Sequence, residues 1–299
     1  MSTSKLIKNK IQILKAEYDS WRQGKDSLLT MIDEAELPES VYNSNAIENS
    51  TLTLQETERI LLEMEVARNI SLREVYEAKN LARVMNYIRE QCLCKTTELN
   101  QELILFLHQM LICGIDDKIA GRFRKAGEYV RVGNHIAPAP DKVEKLIPSV
   151  LIEYHSDVSN YFLDKIAKFH LDFETIHPFC DGNGRIGRIL ISWQLQQVGF
   201  PIIIIRDNEK HKYYPTFSDY RRDKNTKTLE KILALSLIES FHKRLTYLKG
   251  KNIIRLSDFA KRHKKSASAI TNAARRQTIP AFRERGIWKI SENYKYHGA

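Results

Sequence analysis

Three of the chain's 12 glycines fall within six residues, from Gly182 to Gly187, and a helical pattern begins at once behind them. The full run is His177-Pro178-Phe179-Cys180-Asp181-Gly182-Asn183-Gly184-Arg185-Ile186-Gly187-Arg188. Small residues let a backbone approach a ligand closely, and the first N–H groups of a helix have no intrahelical acceptor. The run therefore predicts a tight loop that presents an anion site at a helix start. Arg185 and Arg188 lie three apart, on one side of that helix and near the same anion. Asp181 is a hard oxygen donor of the kind that holds Mg²⁺ alongside phosphates. His177 is the side chain whose ordinary pKa suits proton abstraction near neutral pH. Together these residues read as a polyphosphate cradle with a base at its mouth. Neither a GxxxxGK[ST] loop nor the kinase glycine loop occurs, so the cradle is of another kind.

A site of this sort needs a scaffold, and the rest of the chain reads as mainly helical. Leu28, Leu29, Met31 and Ile32 make an apolar patch that Pro38 is expected to interrupt. The polar stretch Ser40–Ser50 leaves room for one or two helical turns. Near-helical spacing returns from Thr53, through Leu54, Ile60, Leu61 and Met64 and then Val75, Leu81, Val84 and Ile88. Leu99 to Cys113 is strongly apolar and stops at Gly114. Arg122–Gly133 suggests a hairpin, with alternation in Tyr129–Val132, ended by Pro138 and Pro140. Asp141 is placed to cap the next helix, running to Tyr154. Further helices are expected at Val158–Ile176, from Gly184 to near Gly199, and at Lys227–Leu248.

The charge divides the chain. His242–Ala299 holds 15 Lys and Arg against 3 Asp and Glu, whereas the remainder holds 32 against 34. The whole basic excess of +10 thus sits in the last fifth. There, Arg255–Ala260 opens a short helix, Lys264-Lys265-Ser266 turns, and Ala267–Gln277 forms a second helix. Pro280–Ile290 reads as strand, turn and strand, which completes a winged-helix pattern. Lys261, Arg262, Lys264, Lys265, Arg275 and Arg276 cluster on its helices, the footprint of a DNA phosphate backbone or of an acidic protein partner.

At 299 residues, two or three domains are expected, read as 1–98, 99–245 and 246–299. No apolar run approaches the ~20 residues needed to span a bilayer, so no membrane partner is expected. The polar, lysine-rich Met1–Lys10 lacks a signal-peptide pattern. Cys92, Cys94, Cys113 and Cys180 make neither a metal pattern nor a disulfide framework. Reduced thiols in a cytoplasmic protein are the expectation.

The run 177–188 resembles the signature of the Fic family, HPFx(D/E)GNGRxxR, at every fixed position. The resemblance extends from about Ser40 to Leu235. It implies a mainly α fold, a Fic helical core with a β-hairpin flap, beside the small C-terminal winged-helix domain. It further implies AMP transfer from ATP to a protein Ser, Thr or Tyr hydroxyl, with pyrophosphate leaving. His177 would take the hydroxyl proton, and Asp181 would hold Mg²⁺ on the α- and β-phosphates. Gly182, Asn183 and Gly184 would form the anion nest, followed by Ile186 and Gly187. Arg185 would bind the distal phosphates and Arg188 would orient the γ-phosphate. Pro178 and Phe179 would pack the loop, and Cys180 stands at the variable position.

Ser44-Asn45-Ala46-Ile47-Glu48-Asn49 is similar to the family's inhibitory pattern (S/T)xxxE(G/N). Ser44, Glu48 and Asn49 would act with Arg188 as an autoinhibitory device, Glu48 pairing with the arginine at the ATP site. Val130, Arg131, Val132 and Gly133, followed by His135-Ile136, resemble the flap that covers ATP and receives a target peptide by strand addition. Tyr213-Tyr214 resembles a tyrosine pair whose second member meets the adenine side. Where some relatives have Asn seven residues later, this chain has Arg221. Two alternatives stand beside this reading: removal of AMP by the same site, and a nucleic-acid-binding regulator whose Fic core serves as a sensor.

Overall fold

The computed structural model describes residues 3–66, 69–94 and 98–296. Helices dominate, as the apolar spacing predicts. They are α1 (Lys5–Arg22), α2 (Asp26–Ile47), α3 (Leu54–Glu58), α4 (Leu72–Cys94), α5 (Gln101–Ile112), α6 (Pro140–Ser156), α7 (Phe162–Ile176), α8 (Asn183–Gln197), α9 (Lys210–Asp223) and α10 (Lys227–Leu248). A π-helical turn, Arg59–Glu63, follows α3. Local chemistry starts several of them. The Asn100 side chain accepts from Leu103 N at 2.8 Å to begin α5, and Thr53 and Glu56 form a reciprocal capping box at α3.

Two apolar clusters hold the helices together. One gathers α4, α5, α6, α7 and α8 around Leu107, Phe173, Phe179, Ile186 and Trp193. The other seats α1 and α10 against the opposite sides of α7 and α8, around Leu163, Leu171, Leu195 and Phe241. Helices α7 and α8 serve both clusters, so the loop between them, 177–182, is anchored from two sides.

Several expectations need correction. Pro38 does not interrupt its helix: α2 runs unbroken from Asp26 to Ile47, so Ser40–Ile47 forms its last two turns. A proline removes one N–H, and here the loss is outweighed by burial of Val41, Ala46 and Ile47. Asp141 is not the cap of α6. Pro140 occupies the first position behind Ala139, and its fixed φ starts the helix with Asp141 in the favourable first turn. Helix α7 begins at Phe162 rather than Val158, because the Asp157 side chain accepts from Ser159 N and Asn160 N and turns the chain first.

The hairpin is shorter and later than Arg122–Gly133. It consists of β1 (Arg131–Val132) and β2 (His135–Ile136), paired antiparallel with Arg131 opposite Ile136 and Val132 opposite His135. Residues 122–130 are held instead by side chains. Arg122 makes a two-pronged pair with Glu128, each bond 2.7 Å, and Arg124 donates to the carbonyls of His177, Glu128 and Pro138.

Beyond α10 the chain forms β3 (Ile253–Arg255), α11 (Leu256–Arg262), α12 (Ala267–Arg275), β4 (Phe282–Glu284) and β5 (Ile287–Ser291). Strand β3 is additional to the expected elements and pairs with β5, giving an antiparallel sheet of order β3-β5-β4. Leu256, Phe259, Ile270, Ala274 and Ile290 make a core of their own beneath it. Among the described residues, no helix is long and apolar enough to cross a membrane. Cys92, Cys113 and Cys180 are free thiols. The side chain of Cys94, residues 95–97 just before the boundary expected at 98/99, and residues 1–2 and 297–299 at the ends lie outside the described residues.

Candidate active site

The site is the turn between α7 and α8. His177 ends α7 in the left-handed region, φ 50°, with its N–H donating to Phe173 O at 2.8 Å and its carbonyl accepting from Arg124 Nε at 2.9 Å. A left-handed residue at this position ends the helix and turns the chain into the loop. Burial lowers the imidazole pKa to about 4, so His177 is neutral at physiological pH and able to accept a proton. Its Nδ1 lies 3.7 Å from Glu174 Oε2.

The loop is closed by its own side chains. Asn183 accepts from Phe179 N at 2.9 Å and donates to Phe179 O at 2.8 Å, so its amide group clasps the loop and only its backbone is left for a ligand. Phe179 is buried and stacks on His108, with ring centroids 3.6 Å apart. His108 Nδ1 accepts from Gly121 N at 3.1 Å, which leaves the proton on Nε2 for the carbonyl of Asp181 at 3.0 Å. Burial lowers the pKa of His108 to about 4, and the neutral ring keeps both bonds.

Gly182, at φ 83°, turns the chain into α8, whose first intrahelical bond runs from Ile186 N to Gly182 O at 2.9 Å. The amides ahead of it are the unsatisfied donors of a helix N-terminus. Two glycines behind them are required by close approach. A Cβ on Gly184 would collide with the Glu48 carboxylate, and one on Gly187 would lie 2.5 Å from Glu174 Oε1 and 2.8 Å from His170 Cε1.

Both arginines are held by carboxylates. Arg188 is buried and donates to Ser44 Oγ at 3.0 Å, Ser44 O at 2.8 Å and Glu48 Oε1 at 2.8 Å. The last turn of α2 thus lies directly over the anion site. Asn49, at φ 67°, ends that helix with its N–H on Ala46 O, and Ser50 N returns to Asn45 O. A residue tolerant of left-handed backbone is needed there, so Asn49 stops the helix that presents Glu48. Arg185 Nη2 lies 3.1 Å from Asp181 Oδ1, which also accepts from Gly182 N at 2.6 Å, and Arg73 reaches Asp181 Oδ2 at 2.5 Å. Burial alone would raise the Asp181 pKa, but Arg185, the Gly182 amide and Arg73 hold it below its ordinary value.

Among the described residues, no cluster of three or more His, Cys, Asp or Glu is arranged for a metal. Asp181 is a lone carboxylate beside a helix N-terminus. That donor set fits Mg²⁺ delivered with phosphates, which takes one or two protein carboxylates and its other ligands from phosphate and water. Tyr214 OH donates to Ile47 O at 2.5 Å, beside Glu48, while its neighbour Tyr213 is buried and bonded to His170 Nε2 at 2.7 Å. The flap, Val130–Gly133 with β2, is pinned by His135 Nε2 to Thr175 O at 2.8 Å and by Ala137 N to Val130 O at 3.0 Å. The Arg131 and Val132 side chains are exposed.

Glu174, His108, Arg124, Arg73 and Glu77 were not found from sequence. Glu174 is buried, and desolvation, with the Glu48 charge added and Arg188 opposing, pushes its pKa up to about 8. The spacing of His170, Glu174 and His177 on one helical face was the available signal. The others meet the loop only through tertiary packing.

A helical core brings a left-handed histidine, a Gly-Asn-Gly helix start and two carboxylate-held arginines together at one loop. Residues 98–195 match the family described as Fic/DOC, and the chain carries a Fic domain over that segment. The chain is 31% identical over 177 residues to the protein adenylyltransferase Fic of Nematostella vectensis, an alignment covering 58% of this chain and 41% of that protein. It therefore spans about two fifths of that relative's length. In fold it is similar to a Fic-domain-containing signaling protein of Bacteroides thetaiotaomicron, with TM-score 0.73 and 24% identity over 81% of this chain and 98% of the other. A Fic family protein of Desulfovibrio desulfuricans G20 gives TM-score 0.65 and 18% identity over 99% of both chains.

Proposed function

We propose that this chain is a protein adenylyltransferase that transfers AMP from ATP to a Ser, Thr or Tyr hydroxyl of target proteins and of itself, and that Glu48 holds it off. The observation that carries the reading is a neutral, buried His177 one loop away from the free amides of α8 and the two arginines, Arg185 and Arg188. The target oxygen attacks the α-phosphorus, the bond to the β-phosphate oxygen breaks, and pyrophosphate leaves. His177 takes the hydroxyl proton. The backbone amides at Gly182–Gly184 bind phosphate oxygens, Arg185 binds the distal phosphates and Arg188 orients the γ-phosphate. Asp181 would hold Mg²⁺, which would neutralise charge on the α- and β-phosphates. Ile186 and Gly187 continue the nest, and Tyr214 stands at the adenine side. Val130–Gly133 offers a strand edge to the target peptide.

In this reading the Glu48–Arg188 pair occupies the guanidinium that must clamp the γ-phosphate, so ATP binds with its α-phosphate misaligned. The test is incubation of the full chain with α- or γ-labelled ATP and Mg²⁺ in cell lysate. Label on protein from the α-phosphate alone, stronger with Glu48→Gly and about 10²–10⁴-fold weaker with His177→Ala, is the expected result. Label from the γ-phosphate would mean kinase chemistry, and loss of label from pre-modified protein would mean AMP removal.

A second role is favoured by the C-terminal unit from about 246, read as a winged helix. Lys261, Arg262, Lys264, Lys265, Arg275 and Arg276 are exposed on α11, α12 and the turn between them. Duplex DNA is the proposed partner. Binding by the full chain should weaken steeply with salt, and no mobility shift at low salt would leave an acidic protein as the partner.

A further inference from the structure

Arg185 enters the anion site from α8, but a residue that grips its guanidinium comes from α4, outside the matched segment 98–195. Glu77 Oε1 lies 3.3 Å from Arg185 Nη1, while Asp181 Oδ1 lies 3.1 Å from Nη2. The Arg185 side chain is 4% exposed and that of Glu77 14%. Arg185 Nε is buried and has no hydrogen-bond partner. Donors in that condition are rare in native proteins and point to a group that arrives later. Arg73 completes a square of charges, 3.1 Å from Glu77 Oε1 and 2.5 Å from Asp181 Oδ2, but its side chain is 59% exposed.

We infer that Glu77 is a positioning residue for nucleotide binding: it holds Arg185 by Nη1 so that the Nε–Nη2 edge is presented to a phosphate. The inference rests on the nucleotide-site reading of the loop. The two carboxylates on Arg185 have different fates. Asp181 lies on the loop and is the candidate cation ligand, so holding a cation would take its oxygens from Arg185 and Arg73. Glu77 then becomes the anchor that remains. Release of Nη2 by Asp181 frees the planar two-donor edge that suits bidentate phosphate recognition. Glu48 acts on the other arginine in the opposite sense, since it stands where phosphate must go. One carboxylate of the N-terminal region therefore prepares an arginine and the other blocks one.

The test is equilibrium binding of ATP and AMP to the full chain. Glu77→Ala should weaken ATP about tenfold, through loss of the ion pair that holds a nearly buried guanidinium, and leave AMP unchanged. Glu77→Asp keeps the charge, withdraws the carboxylate by one methylene, and should show the same selective loss should the alanine variant fail to fold. Glu77→Gln keeps the side chain's size and removes its charge, so it should show the same selective loss of ATP. Glu77→Ala combined with Arg185→Ala should bind ATP no more weakly than Arg185→Ala alone. Equal weakening of ATP and AMP, or additive losses in the double variant, would assign Glu77 a packing role and overturn the inference. Tighter ATP binding in Glu77→Ala would overturn it by making Glu77 a second blocking group. A wild-type chain with no affinity for ATP would overturn the nucleotide-site reading and this inference together, whereas ATP binding indifferent to every Glu77 variant would overturn this inference alone.

Discussion

Helix α2 carries a carboxylate–arginine cluster in its middle and another at its end, and the two are built to opposite standards. Glu39 has a side chain 5% exposed and takes three donors: Arg206, Arg285 N at 2.9 Å and Gly286 N at 3.0 Å. Arg206 in turn reaches Glu239 at 3.0 Å, which also holds Arg283 at 2.7 Å, so the β4–β5 hairpin is tied to α2 and α10 through one buried network. Glu48, nine residues further on, makes one bond to Arg188 at 2.8 Å and its side chain is 38% exposed. A buried carboxylate that holds three donors has no open side, whereas a half-open pair can exchange its partner for another anion. One helix is thus closed at Glu39 and left open at Glu48.

Breaking the closed cluster gives the largest expected effect. Glu39→Ala strands two backbone amides and one arm of Arg206 in a buried setting, although Glu239 keeps the other arm, and removal of one partner from a buried pair costs about 3–5 kcal/mol. Thermal or urea unfolding measures it. A loss below about 1 kcal/mol would mean that the hairpin and Arg206 relax without α2, and the contrast would fail.

Breaking the open cluster should act on rate instead. Glu48→Gly should raise AMP transfer about 10²-fold, the scale set by a misplacement of about 1 Å at the reacting centre. Its unfolding midpoint should move less than that of Glu39→Ala, because Glu48 is half-exposed and the buried Arg188 keeps its two bonds to Ser44. Arg188→Ala should give no such gain, since it removes the clamp with the lock. Equal labelling by wild type and Glu48→Gly at saturating Mg²⁺-ATP would sink the switch and leave the roles of His177 and the loop standing.

The buried acid beside the Glu48–Arg188 pair, Glu174, sharpens the comparison through pH. Its folded pKa of about 8 lies above the ordinary 4.5, so the native state keeps a proton that the unfolded chain has lost. Stability should therefore fall as pH rises from 4.5 towards 8, by up to ~1.4 kcal/mol per pH unit. Buried His108, His170 and His177, lowered to about 4, 3 and 4, work in the other direction and only below 6.5. The alkaline slope is cleanest between pH 6.5 and 8, read from urea midpoints. Glu174→Gln should flatten it, and an unchanged slope would show that Glu174 is ionised in the fold.

What could be read beforehand follows from how local each feature is. The loop 177–188 is contiguous, so its glycines, Asp181 and arginines announce a helix-start anion site from spacing alone. Ser44–Asn49 lies 140 residues from Arg188, and only a resemblance linked the two ends of that bond. Glu77, Arg73, His108 and Arg124 reach the site because helices pack, and nothing in their own neighbourhoods marks them. Pro38 misled because helix propensity is a weak term against the burial of a face. The hairpin moved because Arg122 and Arg124 hold 122–130 through side-chain bonds that no strand alternation reveals.

The smallest effect tests the closed cluster from its outer edge. Arg285 gives Glu39 its backbone N–H, while its exposed side chain pairs with Glu58 on α3. The two contacts separate by substitution. Arg285→Ala deletes the surface pair and keeps the amide, so it should cost no more than about 1 kcal/mol, and less at high salt. The position also sits at φ 51°, where a Cβ is strained. Arg285→Gly removes that strain along with the pair, so it should match or exceed the alanine variant in stability despite glycine's larger unfolded-state entropy. If Arg285→Ala instead loses several kcal/mol, the side chain rather than the turn's backbone fastens the hairpin to the helix that carries Glu48, and the closed cluster on α2 would depend on a surface charge that salt or a ligand can displace.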